Sequence, residues 1–282
     1  MIRRSARVLA AACAGWLVVA CLDVASPVKG ISAISPVLLP TPSVVVNDTM
    51  RDIAGNVTPL HVLVYGPNGD TLPHDQFKVS FVAIDTSGNL IVNDTGLAYA
   101  KDDSLSPTAQ VVAQVTMSNG GGTIQALAVP LPVVPVPAAA NRDSGFTFQP
   151  PFSAADTLSS TLISPPLTVR VFSGTSTAVP SYPVIFTIVQ QPNRFSYNGP
   201  LVVLTNSAGR DTTVGITGTS GQAQVFLRFR PSAATNEQLS ALFSKPDTVV
   251  VRAQVRYRKG QVAVTPSDSF VILIQPGAAK IQ

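Results

Sequence analysis

The chain carries the same order of alternating apolar segments twice. Pro59–Tyr65 and Val79–Ile84 in the first half correspond in order and spacing to Pro166–Phe172 and Val184–Ile188 in the second half. Apolar and polar residues alternate most clearly over Leu167–Val171, which is the pattern of a β-strand with one buried and one solvated face. The sequence therefore predicts two similar β-modules in tandem.

Two further matches extend this repeat towards the end of each module. Thr108–Val115 matches Gln222–Phe229, and Thr123–Val129 matches Val249–Val255. Because neighbouring side chains of a strand point to opposite faces, the alternation also predicts which residues form the core. In the second module we expect four apolar side chains to be buried while Arg228 and Arg252 face solvent; the four are Val225, Leu227, Val251 and Val255.

Turn residues and composition both favour an all-β protein. Pro67–Asp70 and Gly218–Gly221 separate the alternating segments, and Glu237 is the only glutamate in a chain with few strong helix formers. Apolar residues make up 45% of the chain and charged residues 12%, so both modules can bury a sizeable core. Short strands over roughly ninety to a hundred residues per copy predict an antiparallel β-sandwich for each module.

Two short motifs in the second module point to a family. Thr219–Val225 contains a polar-Gly-x-Ala-x-Val step that leads into one predicted strand, and Val249–Val255 contains the Val-x-Ala-x-Val step of the next. Together with Leu167–Phe172 and Pro183–Ile188, these motifs resemble the bacterial immunoglobulin-like domains of invasin and intimin type. The first copy lacks the glycine before Ala109 and matches less well. The resemblance implies an all-β fold of two tandem immunoglobulin-like antiparallel β-sandwiches, and it implies little about function.

The expected domain organisation follows from the repeat and the proline-rich stretches. We expect a lipoprotein signal peptide over residues 1–20, a tether over 21–45, the first sandwich over 46–137, a linker over 138–154 and the second sandwich over 155–282. One helix is predicted over Asn236–Phe243, with Thr235 as its N-cap. Because each sandwich has a complete strand set, a fragment of residues 141–282 is expected to fold alone.

The N-terminus is built like a bacterial export signal that ends in a lipobox. Three arginines precede an uncharged apolar run over residues 8–20, and Val18–Cys21 supplies the small residue and the cysteine. We predict that Cys21 is lipidated, and that the protein is sorted to the outer membrane because Leu22 rather than aspartate follows the cysteine. The alternative is an ordinary signal peptide that is cleaved elsewhere, for instance after the small residues Ala12–Ala14.

Charge and cysteine content exclude several classes of function. The formal net charge of +4 falls to about +1 once the three arginines of the signal are removed. So small a surplus gives no support to nucleic-acid binding, which needs a concentrated basic face. Cys13 belongs to the signal and Cys21 is the predicted lipid site, so the folded modules hold no thiol for a disulfide, a zinc site or a nucleophile.

No motif predicts catalysis, a cofactor or a metal site. The two histidines, His61 and His74, fall in a predicted strand and a predicted turn, and no G-x-S-x-G elbow accompanies them. Asp94, Asp102 and Asp103 could offer oxygen ligands to calcium, but their spacing is not that of an EF-hand, and an ordinary polar loop is the preferred interpretation. We therefore predict a protein that is not an enzyme and has no catalytic, cofactor-binding or metal-binding residues.

Arginines form two predicted stripes in the second module. One stripe holds Arg228 and Arg230, and the other holds Arg252, Arg256 and Arg258. These two strands belong to opposite sheets of an immunoglobulin-like sandwich, so the stripes are not expected to merge into one anion-binding patch. We interpret them as solvated faces that protect strand edges.

These observations predict a lipid-anchored cell-envelope protein whose immunoglobulin-like domains act as a structural or protein-interaction module. Its expected partners are the membrane, through the N-terminal lipid, and an envelope protein or a glycan. One alternative is a surface adhesin or glycan-binding module, which should expose Tyr182, Phe195 and Tyr197 at one tip of a sandwich. Another alternative is a non-catalytic accessory subunit of an envelope enzyme.

Overall fold

The computed structural model describes residues 30–118, 122–142, 147–148, 163–193, 195–243, 247–259, 262–264 and 267–274. The described chain is built of β-strands, with one α-helix, α1 (Asn236–Phe243), and two short 3₁₀ turns. The all-β prediction is confirmed. In chain order the strands are β1 (Ala33–Ile34), β2 (Val44–Val45), β3 (Val64–Tyr65), β4 (Phe77–Ile84), β5 (Leu90–Val92), β6 (Ala98–Ala100), β7 (Gln110–Met117), β8 (Thr123–Gln125), β9 (Val129–Pro130), β10 (Val133–Val134), β11 (Pro137–Arg142), β12 (Thr147–Phe148), β13 (Leu167–Ser173), β14 (Pro183–Gln190), β15 (Val202–Thr205), β16 (Val214–Ile216), β17 (Gln222–Phe229), β18 (Asp247–Gln254), β19 (Tyr257–Lys259), β20 (Val262–Val264) and β21 (Ser267–Ile274).

The second module is a sandwich of two sheets. One sheet has the strand order β11-β13-β17-β15, and the other has the order β12-β21-β18-β14-β16. Apart from β12, which runs parallel to β21, neighbouring strands are antiparallel. Strands β11, β13, β17 and β15 occupy the places of A, B, E and D in an immunoglobulin-like sandwich, and β14, β18 and β21 those of C, F and G. The predicted fold class is therefore confirmed for this module.

The core of the second module lies between these sheets, on the faces that the alternation predicted. Val225, Leu227, Val251 and Val255 are all fully buried, as are the larger side chains of Phe186 and Phe270, whereas Arg252 is exposed; this confirms the predicted strand phase. Helix α1 is also present as predicted. Gln238 N–H donates to Thr235 Oγ1 while the Gln238 side chain accepts from Thr235 N–H, so the two residues form a capping box.

The first module is smaller, and its main sheet has β7 at the centre. Strand β4 pairs with one side of β7, and β8 and β9 pair in succession with the other side. Three two-stranded pairs complete the module: β1 with β3, β5 with β6, and β2 parallel to β10. The parallel pair β2–β10 has the same role as β12–β21 in the second module, since in both cases a short early strand lies beside the last strand.

The pairing corrects one part of the predicted repeat. In the first module Phe81 lies opposite Ala113, and in the second Phe186 lies opposite Ala253. Strand β7 therefore corresponds to β18, and the match of Thr108–Val115 with Gln222–Phe229 was wrong. The match of Thr123–Val129 with Val249–Val255 was also wrong, because β8 and β9 pair with β7 as β21 pairs with β18. Strands β17 and β18 both alternate small apolar and polar residues, so their periodicity could not tell them apart.

Both modules begin earlier in the chain than the sequence predicted. Strands β1 and β2 lie within residues 21–45, which were expected to be a tether. Strand β12 and all but the first residue of β11 lie within residues 138–154, which were expected to be a linker. The proline-rich stretches were interpreted as a tether and a linker, but proline is also tolerated at sheet edges and strand starts. Pro137 is the first residue of β11, and only Pro135 and Val136 separate β10 from β11. The connection between the modules is thus two residues long.

Candidate functional site

The structure does not bring the two histidines together. His61 forms an antiparallel bridge with Leu38, and His74 opens a 3₁₀ turn with its ring 5.3 Å from that of Phe77. In the described ranges no group of three or more His, Cys, Asp or Glu side chains is placed to hold a metal ion. The predicted lipidation site, Cys21, lies outside the described residues, and so do residues 1–20. Among the described residues no helix is long and apolar enough to span a membrane.

Two of the three aspartates that could offer oxygen ligands to calcium, Asp102 and Asp103, accept hydrogen bonds within the protein. Asp102 Oδ1 accepts the Ser104 N–H at 2.8 Å, and this hydrogen bond lowers the pKa of the Asp102 carboxyl. Asp103 Oδ1 accepts a hydrogen bond from the Asn47 side-chain amide at 2.6 Å. Each carboxylate is used by a neighbouring donor, as expected of a polar loop.

A carboxylate that the sequence analysis overlooked closes the end of β4. Asp85 accepts the backbone N–H groups of Ser87, Asn89 and Leu90 at 2.7–3.0 Å, and also the hydroxyl groups of Ser87 and Ser106. Burial alone would raise the pKa of Asp85, but the hydrogen bonds from Leu90, Ser106 and Ser87 outweigh it and hold the pKa far below its usual range. The signal for this turn was present in the sequence as an Asp followed three residues later by Gly88, whose φ is 69°.

The arginine stripes lie in different sheets, as predicted. Arg228 belongs to β17 and Arg252 to β18, and β17 and β18 are strands of opposite sheets. Arg258 lies in β19 and not on the strand of Arg252, which corrects the predicted second stripe. Arg230, which follows β17, forms an ion pair with Asp211 at 2.6 Å. An exposed pair of this kind contributes little stability, about 0–1 kcal/mol.

The three candidate aromatic residues do not form one exposed tip. Tyr182 is only 8% exposed, and its hydroxyl donates to the Arg256 carbonyl at 2.9 Å, so its predicted exposure was wrong. Phe195 is 37% exposed and packs edge to face against Tyr197, with ring centroids 6.2 Å apart. Gln238 of α1 donates to the Ser196 carbonyl at 3.2 Å and so ties this loop to the helix.

A small cavity lies where the two modules meet. Residues of the first module, Asp48 and Arg51 among them, line it together with Tyr182 and Arg256 of the second. Asp48 and Arg51 form a mostly buried ion pair at 3.0 Å beside it. The cavity volume is about 20 Å³, which is room for about one water molecule. This junction is therefore a packing contact and not a ligand pocket.

A larger concave surface is a groove along one side of the second sandwich. It runs between the outer edges of β14 and β15 and has a volume of about 560 Å³. Phe186, Val202 and Leu204 are buried beneath it, and Ile188 is half-buried in its wall. We call this surface the β14–β15 groove; its lining residues are Ile185, Phe186, Thr187, Ile188, Gln191, Pro200, Val202, Val203, Leu204, Asp211, Thr212 and Thr213.

The chemistry of the β14–β15 groove is apolar and nearly uncharged. Among the described lining residues Asp211 is the one that carries a charge, and Arg230 pairs with that carboxylate. The lining residues that the structure describes include no histidine, cysteine or lysine, so they form neither a nucleophile–base pair nor a metal-ligand set. The groove can bury apolar side chains and offer backbone hydrogen bonds, which is the chemistry of peptide binding.

The groove exists because of a long connection in the second module. Residues 191–201 link β14 to β15, whereas residues 85–89 link β4 to β5 in the first module. The shorter link brings the β5–β6 hairpin directly against β4. At Gly96 in this hairpin, a Cβ atom would lie 3.0 Å from the Phe81 ring, so the packing there is tight. The sequence repeat concealed this difference, because it aligned the modules without the correct insertion.

Comparisons with known proteins add little to this description. No protein-family model matches the chain, and no curated protein matches it. Zebrafish RET cadherin-like domains 1 to 4 are similar with a TM-score of 0.26 and 10% identity, over 72% of this chain and 42% of that one. Drosophila N-cadherin EC1-4 is similar with a TM-score of 0.23 and 10% identity, over 89% of this chain and 50% of that one. Drosophila OTK extracellular domains 3–5 are similar with a TM-score of 0.23 and 11% identity, over 87% of this chain and 63% of that one. This chain spans less than two thirds of these three chains, and such low TM-scores carry no argument about its function.

Proposed function

We propose that this protein is a lipid-anchored cell-envelope protein whose two β-modules hold a peptide-binding surface away from the membrane. The observation that carries the proposal is the β14–β15 groove, an apolar surface on the module farther along the chain from Cys21. Cys21 lies twelve positions before Ala33, the first residue of β1. A lipid at Cys21 would therefore keep the first module within about 40 Å of the membrane, since an extended residue spans about 3.3 Å.

The short connection between the modules supports a spacer role for the first module. Two residues, one of them Pro135, leave little freedom between β10 and β11, and the two modules share the lining of the junction cavity. An interaction role fits the second module better than catalysis does, because its groove offers apolar surface and strand edges without the acid–base or nucleophilic groups that turnover requires.

A second candidate function is glycan binding at the loop that holds Phe195 and Tyr197. Exposed aromatic rings are a suitable surface for the apolar faces of sugars, and Phe195 is the more exposed of the pair. Because Tyr182 is buried, this candidate site has two aromatic rings and not the three that the sequence predicted. A role as accessory subunit of an envelope enzyme would use the same surfaces for a protein partner.

Mass spectrometry and affinity capture test the proposed function together. The mature protein extracted from membranes should begin at an acylated Cys21, and Cys21→Ala should release it from the membrane fraction. Cross-linked envelopes should then yield a protein partner with the wild-type chain. The Phe195→Ala variant should capture the same partner, because Phe195 is not among the described residues that line the groove. An unmodified Cys21 would contradict the proposed lipid anchor. If Phe195→Ala fails to capture the partner, the partner binds at the loop that holds Phe195 and not at the groove.

A further inference from the structure

We propose that the β14–β15 groove binds an extended, uncharged segment of a partner protein by adding it as a strand to the free edge of β14. This inference rests on the proposed interaction function and specifies the chemistry of the partner. The segment should carry apolar side chains at alternate positions, so that they enter the groove while its backbone pairs with β14.

The backbone of β14 supplies the hydrogen-bonding template. On its outer side β16 pairs only with Pro183–Ile185, and the last hydrogen bond there runs from Phe186 N–H to the Thr213 carbonyl at 2.7 Å. In an antiparallel strand the N–H and C=O groups of every second residue point to the same side. The backbone groups of Ile188 therefore point outward like those of Phe186, and in the described part of the chain no strand pairs with them on that side.

The side chains below this edge determine what the added strand can carry. Its inward residues would lie against Ile188 from one sheet and against Val202 and Leu204 from the other. These neighbours offer no partner for a buried charge, and Asp211 at the groove wall is already paired with Arg230. A charged residue facing the groove would lose its hydration without compensation. The occupant is therefore an uncharged, apolar segment and not an acidic or basic motif.

The groove edges lack two common devices that prevent strand addition. Lysine and proline block many exposed edges, as Pro137 does on β11 and Lys78 on β4. Neither Thr187–Gln190 nor Val202–Thr205 contains a charged residue or a proline. A bulge between Ile188 and Gln190 ends the regular edge, so the added strand should be short, about three to five residues.

Peptide binding to the full mature chain tests this inference. The probe is a fluorescent heptapeptide of alternating threonine and valine, and the control peptide is N-methylated along one edge. Binding is measured by fluorescence anisotropy. We expect the unmodified peptide to bind and the N-methylated peptide to bind at least tenfold more weakly, because N-methylation removes the backbone donors that pair with β14. Equal binding of the two peptides, or no binding of either, overturns the inference.

Two matched variants locate the site on the protein. Ile188→Lys places a charge in the groove wall on a side chain long enough to reach solvent, and Val189→Lys places the same charge on the outer face of the sheet. Ile188→Lys should weaken peptide binding at least tenfold, and Val189→Lys should change it less than twofold. Thermal melting of both variants is the control that checks whether each remains folded. A Val189→Lys effect as large as that of Ile188→Lys contradicts the assignment to the groove.

Other occupants give different results in the same assays. Concentration-dependent dimerisation that Ile188→Lys abolishes would assign the edge to a second copy of this chain and overturn the inference. Peptide binding that appears only after removal of residues 275–282 would assign the edge to the chain's own C-terminus. That result would also overturn the inference. If an envelope partner is captured equally by wild type and Ile188→Lys, the interaction function stands and the groove assignment fails.

Discussion

The two modules share a central strand pair and differ in what is inserted after it. Phe81 opposite Ala113 and Phe186 opposite Ala253 mark the same position in each module. In the first module only the β5–β6 hairpin lies between the paired strands, whereas in the second the chain adds β15, β16, β17 and α1. The longer insertion gives the second module two complete sheets and leaves the β14–β15 groove open. The short connection thus brings the β5–β6 hairpin against β4 in the first module, and the long connection leaves a groove in the second.

The modules also differ in the charge of the side chains that accept hydrogen bonds in their turns. The first module ends β4 with the Asp85 turn, where one carboxylate collects three backbone N–H groups. Both modules also have a turn with a neutral acceptor. Asn93 Oδ1 accepts the N–H groups of Thr95 and Leu97 after β5. Asn206 Oδ1 accepts those of Ala208 and Arg210 at 3.0 Å after β15. A charged acceptor binds these donors more strongly than a neutral one. The stability of the first module should therefore depend more on pH.

The largest effect is expected in the core of the second module. Leu227→Asp buries an unpaired charge between the two sheets, which costs about 3–5 kcal/mol and removes most of the stability of a small domain. Scanning calorimetry of the full mature chain should show the transition of the second module lost and that of the first retained. Loss of both transitions would mean that the modules unfold as one unit.

Arg228→Asp is the matched control for this variant. Arg228 is half-buried beside the Asn206–Gly209 turn and donates to the Gly209 carbonyl at 3.4 Å, a weak hydrogen bond. Its replacement should cost about 1 kcal/mol or less. Equal melting temperatures for Leu227→Asp and Arg228→Asp would show that the strand phase is incorrect.

The strand phase and the helix could be predicted because they depend on local pattern. Alternation alone placed Val225 and Val251 in the core, and Thr235 as an N-cap marked the start of α1. Strand partners could not be predicted in the same way, because β17 and β18 carry similar patterns and differ only in which neighbour they meet. The β14–β15 groove depends on that choice of partner, so no motif in the sequence marked it.

A second, smaller effect tests where the second module begins. A fragment of residues 137–282 contains β11, which pairs with β13 over five positions, whereas a fragment of residues 155–282 lacks both β11 and β12. We expect the longer fragment to give a cooperative thermal transition. The shorter fragment should melt at a lower temperature and aggregate more readily, because the edges of β13 and β21 become exposed. If the two fragments melt at the same temperature, β11 and β12 do not stabilise the second module, and its start at residue 155, as the sequence predicted, is correct.

The smallest expected effect separates the modules by pH. Asp85→Asn removes the charge that accepts the hydrogen bonds of Leu90, Ser106 and Ser87, and should cost the first module about 1–2 kcal/mol at pH 7. Because folding lowers the pKa of Asp85, its stabilising effect is present above the unfolded pKa of about 3.9 and is lost as pH falls through the folded pKa. Urea unfolding of the full mature chain at several pH values should show the difference between wild type and Asp85→Asn shrinking below pH of about 4. The transition of the second module, whose Asn206 turn has a neutral acceptor, serves as the internal control, and an equal change in both transitions would contradict the assignment of the effect to Asp85.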